Sequence, residues 1–268
     1  IATGLAAGET GRRMDAMLRQ VGVQTAFVWV EGETRTNYVF ARIADGAQGT
    51  VTVASLRIKE EHVAQLTERV LSLLERADLL LCGGTLPQGM PVDWYVPLIK
   101  QAKQRGILTL LDASEPFLSA NIVALPDMVK PNEAEATALL GYPVHSVAQA
   151  ARAARELQAR FGFRAVAITL RENPRVWLNT WSAIALAGGE LHEAPRYEVE
   201  IVDRIGAGDA FSAGFIAGAL EGGQTLEPRR GLSVKIIGIV PVAETEGNAL
   251  PAPVGRVGVQ KAVRAVAR

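Results

Sequence analysis

The segment Asp203-Arg-Ile-Gly-Ala-Gly-Asp-Ala-Phe211 is the part of the sequence best suited to chemistry. Two glycines flank Ala207, and Asp209 follows them at the start of an apolar stretch that is predicted to be helical. Glycines let the backbone approach a ligand closely, and the free N–H groups of a first helical turn bind anions. If the anion is the terminal phosphoryl group of ATP, the Asp209 carboxylate can take the proton of an attacking hydroxyl. The segment therefore predicts an anion site with a general base beside it.

Two other interpretations of this segment need no catalysis. In the first, Asp209 is an ordinary first-turn carboxylate, and Gly214 and Gly218 only let the helix lie close to a sheet. Composition alone favours this helix-cap interpretation. In the second, Gly-Ala-Gly belongs to a dinucleotide-binding fingerprint, but the third glycine of that fingerprint would fall at Phe211. The Asp209 carboxylate would also oppose a pyrophosphate, so the dinucleotide interpretation is weak.

Alternating strands and helices supply the framework that would position this segment. Predicted helices cover residues 12–21, 59–76, 93–104, 133–140, 146–160 and 207–220. Predicted strands cover residues 1–5, 78–82, 107–111, 128–130 and 165–170. This alternation is typical of right-handed βαβ units, which give a mostly parallel sheet with helices on both faces. Ligands in such sheets bind beyond the carboxyl ends of the strands.

Short strands without intervening helices are predicted elsewhere. A small lid beside the main sheet is predicted from β-like stretches at residues 24–30, 36–43 and 50–53. A short antiparallel run is predicted from similar stretches at residues 176–186, 190–194 and 198–202. Farther on, a strand-like stretch at 234–240 lies among Pro- and Gly-rich residues.

Composition and charge argue against several classes of protein. Lys plus Arg equals Asp plus Glu at 28 each, and a net charge of zero argues against nucleic-acid binding by bulk electrostatics. The single cysteine, Cys82, excludes a disulfide framework and suits a reducing cytosol. No apolar stretch approaches the roughly 20 residues of a membrane span. His62, His145 and His192 lack metal-ligand spacing and are expected at the surface or in turns. We therefore expect a cytoplasmic protein without nucleic-acid or membrane partners.

Four motifs, in order along the chain, resemble those of the ribokinase/PfkB family of carbohydrate kinases. They are Gly84-Thr-Leu-Pro-Gln-Gly89, Leu111-Asp-Ala-Ser114, Val129-Lys-Pro-Asn-Glu-Ala-Glu135 and Asp203-Arg-Ile-Gly-Ala-Gly-Asp-Ala-Phe211. One such motif would be weak evidence, but four in the family's order are specific. The resemblance implies an α/β fold, the ribokinase-like three-layer sandwich, with a mostly parallel central sheet and helices on both faces. It also implies a single domain carrying a small β-strand lid at about residues 24–53.

The resemblance assigns the last motif to phosphoryl transfer from ATP. Asp209 would be the catalytic base that deprotonates a sugar hydroxyl. The backbone amides of Gly206, Ala207 and Gly208 would form the anion hole that stabilises the transferring group.

The resemblance also assigns residues to the nucleotide and to metal ions. Lys130, Asn132 and Thr169 would lie on the nucleotide side, the threonine at the end of its strand. Glu135, with Asn132, would organise Mg²⁺ through water, which suits an ion that dehydrates reluctantly. Asp203 would belong to a site for a monovalent cation such as K⁺, as in several relatives. Without the resemblance, Asn132 and Glu135 are better explained as a helix-capping pair.

The stretch Gly32-Glu-Thr-Arg-Thr-Asn37 resembles the lid strand of the family branch that phosphorylates sugar phosphates, such as 1-phosphofructokinase and tagatose-6-phosphate kinase. A planar guanidinium at Arg35 suits bidentate binding of a phosphate that the substrate already carries. Asn37 and Thr85 would contact the substrate as well. Judged by itself, Arg35 is better explained as a solvated arginine on a surface strand.

Other residues resemble the 2-keto-3-deoxygluconate kinase branch. They are Thr169-Leu-Arg-Glu172, Trp181-Ser-Ala183 and Arg204. Substrate contacts in the family come mainly from the lid and the N-terminal half, so the lid residues are the stronger evidence for the substrate class. A sugar-phosphate kinase is the preferred interpretation, with a 2-keto-3-deoxygluconate kinase or ribokinase-like sugar kinase as the alternative.

The sequence departs from the family pattern at both ends. No strand with a Gly-Gly-Lys/Ala-x-x-Asn sugar-binding turn precedes residue 1, so one strand of the sheet is expected to be missing. Residues 223–268 lack the expected Ala-rich helix, and our hypothesis is a frame-shifted or otherwise foreign stretch. These departures leave two function classes, an active kinase and a catalytically silent sugar- or nucleotide-binding relative. The resemblance also implies a homodimer through the lid strands, as in many relatives, and the alternative is that loops cap the free edges of these strands.

Overall fold

The computed structural model describes residues 1–41, 48–52, 56–175, 178–200, 206–221 and 236–239. The chain divides into two compact units. The first holds the described residues up to Pro126 together with 236–239, and the second holds those from Asp127 to Glu221. The expectation of a single domain stays a prediction.

The first unit is built from ten described strands and four helices. The helices are α1 (Gly8–Gln20), α2 (Glu60–Leu74), α3 (Tyr95–Gln104) and α4 (Phe117–Asn121), and a 3₁₀ turn at Ile122–Ala124 follows α4. The strands are β1 (Ala2–Thr3), β2 (Leu5–Ala6), β3 (Val28–Trp29), β4 (Glu31–Gly32), β5 (Asn37–Ala41), β6 (Gln48–Thr52), β7 (Leu56–Arg57), β8 (Leu79–Gly84), β9 (Leu108–Ala113) and β15 (Ile236–Ile239).

Four of these strands form a parallel sheet in the order β1, β15, β8, β9. Strands β8 and β9 are fully buried at Leu79, Leu80, Leu110 and Leu111. Burial of each leucine side chain stabilises the fold by about 1.5–3 kcal/mol relative to exposure. Because β8 and β9 are parallel, their carboxyl ends lie side by side. There the Ser114 N–H donates to the Gly84 carbonyl at 3.3 Å.

Helix α2 illustrates how the sequence pattern specifies packing. Its buried apolar residues, at the spacing of one helical face, are Leu66, Val70, Leu73 and Leu74. The helix starts at Glu60, where the Nδ1 atom of His62 accepts a hydrogen bond from the Lys59 N–H at 3.2 Å. Only 8% of His62 is exposed, so the expectation that it lies at the surface is wrong. Its imidazole is buried and satisfies a backbone donor at the start of the helix.

The predicted lid consists of paired short strands. β4 pairs with β7 and β5 pairs with β6, both antiparallel, while β2 pairs with β3 in parallel. No described helix interrupts residues 24–59, as the sequence predicted.

The second unit has three helices and five strands among its described residues. The helices are α5 (Glu133–Leu140), α6 (Val147–Phe161) and α7 (Ala207–Glu221). The strands are β10 (Met128–Val129), β11 (Ala165–Arg175), β12 (Leu178–Ala187), β13 (Glu190–Glu193) and β14 (Tyr197–Glu200). β10 runs parallel to β11, whereas β11 with β12, and β12 with β13 and β14, pair in antiparallel fashion.

Helix α6 is fixed at both ends by its own sequence. The Ser146 hydroxyl accepts a hydrogen bond from the Gln149 N–H, and the Gln149 side chain accepts one from the Ser146 N–H. Gly162 ends the helix at φ +72°, a conformation that favours glycine. Between these caps, buried alanines and Leu157 line the face that packs on β11 and β12.

Three of the differences from the sequence-based prediction have a clear physical reason. Helix α1 starts at Gly8 rather than Arg12, because a side chain from a distant segment caps it. Strand β11 runs to Arg175 rather than residue 170, because β12 pairs along it. Helix α4 was not predicted, since five residues are too few to show a helical period.

The structure describes four residues of the atypical stretch 223–268. These form β15, which confirms the strand predicted near 234–240 and lies between β1 and β8, parallel to both. The place beside β1 is thus filled by a strand from late in the chain. No helix in the part of the chain that the structure describes is long and apolar enough to cross a membrane.

Candidate active site

The N-terminus of α7 is shaped as an anion site. Gly206 adopts φ +75°, and its carbonyl accepts a hydrogen bond from the Ala210 N–H at 2.9 Å. The amides of Ala207, Gly208 and Asp209 therefore belong to the first helical turn, where no carbonyl within the helix can accept from them. The helix dipole adds positive potential at this end. The four residues predicted as anion hole and base thus lie together on one turn, with Asp209 exposed.

Packing against the described residues does not explain the glycines at positions 206 and 208. A Cβ atom placed on Gly206 or Gly208 would have no described heavy atom within 4 Å. At Gly206 the positive φ demands glycine, whereas Gly208 lies in the helix and has no such demand. No described residue occupies the space around these two Cβ positions, and an approaching phosphoryl group would require such space.

The opposite side of α7 anchors the helix. Ser212 is buried, and its hydroxyl donates to the Gly208 carbonyl at 3.1 Å. Phe215 and Ile216 are buried as well. One face of the helix is therefore fixed in the core while its first turn stays open to solvent.

The start of α5 is a reciprocal cap built by Asn132 and Glu135. The Asn132 Oδ1 atom accepts from the Ala134 and Glu135 amides, each at 2.9 Å. The Glu135 Oε2 atom accepts from the Asn132 N–H at 2.8 Å. The helix-capping pair considered from sequence is therefore present. It places one amide group and one carboxylate side by side at this helix start.

Lys130 and Thr169 lie next to this cap. Lys130 is only 5% exposed and follows directly after β10. The Thr169 N–H donates to the Pro131 carbonyl at 3.3 Å, and Thr169 bridges with Asn132 in parallel fashion. The expectation that Thr169 ends its strand is wrong, because β11 continues past it along β12. The structure nevertheless brings together all three residues predicted for the nucleotide, at the point where β10 ends.

The first unit carries the residues predicted for the substrate. Arg35 is half-buried, and burial lowers the pKa of its guanidinium. Among the described residues, no carboxylate lies within ion-pair distance of Arg35. Asn37 begins β5, and its Oδ1 atom is buried with no hydrogen-bond partner in the described ranges. Thr85 follows β8 directly, after Gly84 at φ +73°.

A sequence profile of the pfkB family carbohydrate kinases matches residues 3–228. The chain belongs to the pfkB family. Among the curated relatives, a 1-phosphofructokinase from Haemophilus influenzae is 28% identical over 208 residues, which are 78% of this chain and 64% of that protein. A tagatose-6-phosphate kinase from Staphylococcus epidermidis is 25% identical over 222 residues, 82% of this chain and 68% of that protein. The chain thus spans less than two thirds of the length of the first of these relatives.

Similar solved structures confirm the ribokinase-like α/β fold expected from the sequence. The 2-dehydro-3-deoxygluconokinase of Thermotoga maritima matches with a TM-score of 0.73 at 23% identity, over 84% of this chain and 74% of that one. Phosphofructokinase-2 of Escherichia coli in complex with fructose-6-phosphate matches with a TM-score of 0.64 at 25% identity, over 80% of this chain and 68% of that one.

Asp203, predicted for a monovalent cation, and Arg204 lie outside the described residues. Cys82 is fully buried, and burial raises the pKa of its thiol, so this thiol is unsuited to act as a nucleophile. Among the described residues, no group of three or more His, Cys, Asp or Glu side chains could hold a metal ion.

Sequence reasoning missed two residues of the lid segment, Glu33 and Thr34. Both contact the N-terminus of α1, more than 20 positions earlier in the chain. No local pattern could have indicated these contacts, because they depend on how the lid segment lies against the helix.

Proposed function

We propose that this chain is an ATP-dependent kinase that phosphorylates a hydroxyl of a sugar already carrying phosphate. The observation that carries the proposal is the first turn of α7, where three backbone amides and the Asp209 carboxylate share one open helix end. An anion site with a carboxylate beside it is suited to receive a transferring phosphoryl group and the proton of its acceptor.

The proposed reaction follows from these groups. The Asp209 carboxylate takes the proton from the sugar hydroxyl, and the hydroxyl oxygen forms a bond to the γ-phosphorus of ATP. The bond from that phosphorus to the β–γ bridging oxygen breaks, and ADP leaves with the electron pair. The amides of Gly206, Ala207 and Gly208 donate hydrogen bonds to the oxygens of the transferring group, whose charge they stabilise.

The start of α5 supports the nucleotide and its metal ion. Glu135 and Asn132 would hold Mg²⁺ through its water shell, and this fits a donor set of one carboxylate and one amide, since Mg²⁺ keeps several waters. The ion would neutralise charge on the phosphates of ATP. Lys130, as a buried cation, and Thr169 would contact the nucleotide. Asp203 would bind K⁺ or a similar cation.

Arg35 supports a phosphorylated substrate. A half-buried guanidinium without a described counter-ion has lost part of its hydration, and a phosphate would compensate that loss by bidentate hydrogen bonds. The buried Oδ1 atom of Asn37 has no donor among the described residues, and a sugar hydroxyl can supply one. Thr85 would contribute a further hydroxyl contact. The relatives named 1-phosphofructokinase and tagatose-6-phosphate kinase act on substrates of this class by name.

A panel of acceptors tests the proposal. ATP consumption is measured with fructose 1-phosphate, fructose 6-phosphate, tagatose 6-phosphate, 2-keto-3-deoxygluconate and ribose. We expect turnover with at least one sugar phosphate and much less with the two unphosphorylated sugars. Turnover with 2-keto-3-deoxygluconate or ribose alone would favour the alternative sugar kinases. ATP binding without any turnover would favour a catalytically silent relative.

Replacing Gly208 by alanine is expected to move activity and stability in opposite directions. Alanine is the better helix former, so stability should stay equal or rise by about 0.5–1 kcal/mol. Cβ atoms of a helix tilt toward its N-terminus, so we expect the added methyl to restrict the space that a phosphoryl group would use, and kcat/KM for ATP should fall roughly tenfold or more. Thermal unfolding and steady-state kinetics measure the two effects.

The matched control for Gly208→Ala is Ala213→Gly, at an exposed position farther along α7. This variant should lose about 1 kcal/mol of stability and keep its kinetics. If Gly208→Ala keeps full kcat/KM for ATP, the first turn of α7 is not the site of phosphoryl transfer.

A homodimer through the lid is part of the proposal. Tyr38 and Phe40 lie on the same face of the β5–β6 hairpin with ring centroids 6.5 Å apart, and Val51 lies opposite Tyr38. They are 45%, 60% and 53% exposed, so this hairpin presents an apolar face that a second copy of the chain would cover.

Charge in this apolar face should separate the protomers. The double variant Tyr38→Asp with Phe40→Asp is expected to shift the molar mass measured by light scattering from dimer to monomer. Val21→Asp, at a 75% exposed apolar residue outside the lid, should keep the dimer. A wild-type protein that is monomeric at tens of micromolar would exclude the lid dimer.

A further inference from the structure

Helix α1 is capped by a residue from the lid segment instead of by its own N-terminal sequence. Its N-cap residue is Ala7, which has no side chain that could accept a hydrogen bond. The Glu33 carboxylate accepts from the Glu9 N–H at 3.2 Å and from the Thr10 N–H at 2.6 Å. These are the second and third residues of the helix, whose amides an N-cap side chain ordinarily satisfies. The negative carboxylate also complements the helix dipole.

The sequence at the helix start leaves room for this carboxylate. Gly8 adopts φ +65°, and a Cβ atom placed there would lie 1.9 Å from the Glu33 Oε2 atom. Any other residue at position 8 would therefore displace the carboxylate. The hydrogen bonds from Thr10 are the main reason that the pKa of the Glu33 carboxyl is lowered, so the ionised form is the one bound to the helix.

Thr34 adds a second attachment at the same place. Its hydroxyl accepts from the Ala7 N–H at 2.9 Å, and its own N–H donates to the Ala7 carbonyl at 3.0 Å. Thr34 is only 1% exposed. Two consecutive residues, Glu33 and Thr34, thus attach the lid segment to the start of α1, and Arg35 is the next residue.

We propose that Glu33 is a positioning residue that sets the place of Arg35, and with it the affinity for the phosphate of the substrate. This inference rests on the proposed function, in which Arg35 binds that phosphate. Glu33 itself does not contact the substrate. Its carboxylate ties the backbone next to Arg35 to a rigid helix, so that the guanidinium is held ready for a phosphate and loses little conformational freedom on binding.

Kinetics on Glu33 variants test the proposal. Glu33→Ala removes both hydrogen bonds, and the KM for the sugar phosphate should rise roughly tenfold while kcat and the KM for ATP stay within about twofold. Glu33→Gln keeps a carbonyl acceptor without the charge, so its KM should fall between those of the wild type and Glu33→Ala. The matched control is Glu31→Ala, at an exposed glutamate two positions away whose carboxylate lies 3.7 Å from the Lys59 Nζ atom. An unchanged KM for the sugar phosphate in Glu33→Ala would overturn the proposal, as would equal losses for sugar phosphate and ATP.

Amide hydrogen exchange tests the attachment without any turnover. First-turn amides have no acceptor within their helix, so protection of Glu9 and Thr10 reports on the Glu33 carboxylate. We expect these two amides to be protected in the wild type and in Glu31→Ala, and to exchange at least tenfold faster in Glu33→Ala. Fast exchange in the wild type would overturn the attachment. Protection in a protein that phosphorylates no sugar would instead count against the proposed function alone.

Discussion

Replacing Asp209 by asparagine is expected to lower kcat for sugar-phosphate phosphorylation by about 10²–10⁴-fold. Asparagine has nearly the same shape but cannot accept the proton of the substrate hydroxyl. The anion site is made of backbone amides, which the substitution leaves in place, so the affinity for ATP should change little. Steady-state kinetics with the best acceptor of the panel, together with calorimetric titration of ATP, measures both quantities.

A second carboxylate provides the control for Asp209. Glu60 lies exposed in the first turn of α2, and Glu60→Gln removes a charge from a helix N-terminus without touching α7. That change should cost at most about 1 kcal/mol of stability and leave kcat unchanged. Equal turnover of the wild type and Asp209→Asn would remove Asp209 from the role of base, whatever the stability of the variant.

Replacing Arg35 by alanine is expected to lower kcat/KM for the sugar phosphate by about 100-fold. A bidentate pair to a charged group contributes about 3 kcal/mol, which corresponds to two orders of magnitude. Arg35→Lys keeps the charge but loses the forked geometry, so an intermediate loss of roughly tenfold is expected. The KM for ATP should stay close to that of the wild type, because Arg35 is assigned to the sugar phosphate only.

Selectivity distinguishes a phosphate contact from a general loss of folding. Any residual turnover of an unphosphorylated sugar should be unaffected by Arg35→Ala. The ratio of kcat/KM for the phosphorylated to the unphosphorylated sugar should therefore fall in this variant. Arg57→Ala removes an exposed arginine of β7. It should change neither kcat/KM for the sugar phosphate nor the turnover of an unphosphorylated sugar. A parallel loss for phosphorylated and unphosphorylated acceptors would contradict the phosphate role of Arg35.

The framework of this protein could be predicted because its signals are local. Helix α5 was predicted at its observed bounds, since Asn132 and Glu135 are a capping pair and Gly141 ends the helix at φ +76°. The buried face of α2 was readable from the spacing of its apolar residues. The antiparallel strands β12, β13 and β14 were predicted from the β-like composition of their own residues.

The burial of individual residues and the contacts between distant segments could not be predicted. His62 shows no sequence pattern that separates a buried capping imidazole from an exposed one. Thr169 lies within its strand because β12 continues to pair beyond it, and this pairing depends on another segment. The start of α1 at Gly8 depends on Glu33, which is remote in sequence.

The sequence by itself determined the α/β framework, the family motifs and the glycines before Asp209. The framework follows from helical and strand periodicity, and the glycines from backbone conformations that few other residues adopt. The motifs were identified by their resemblance to those of the family. Only the tertiary structure decided that Arg35 is half-buried and that Glu33 and Thr34 hold its segment on α1. It also decided that Lys130, Asn132 and Thr169 meet where β10 ends. Burial and long-range hydrogen bonds depend on which segments lie next to each other, and residue order along one strand or helix does not contain that information.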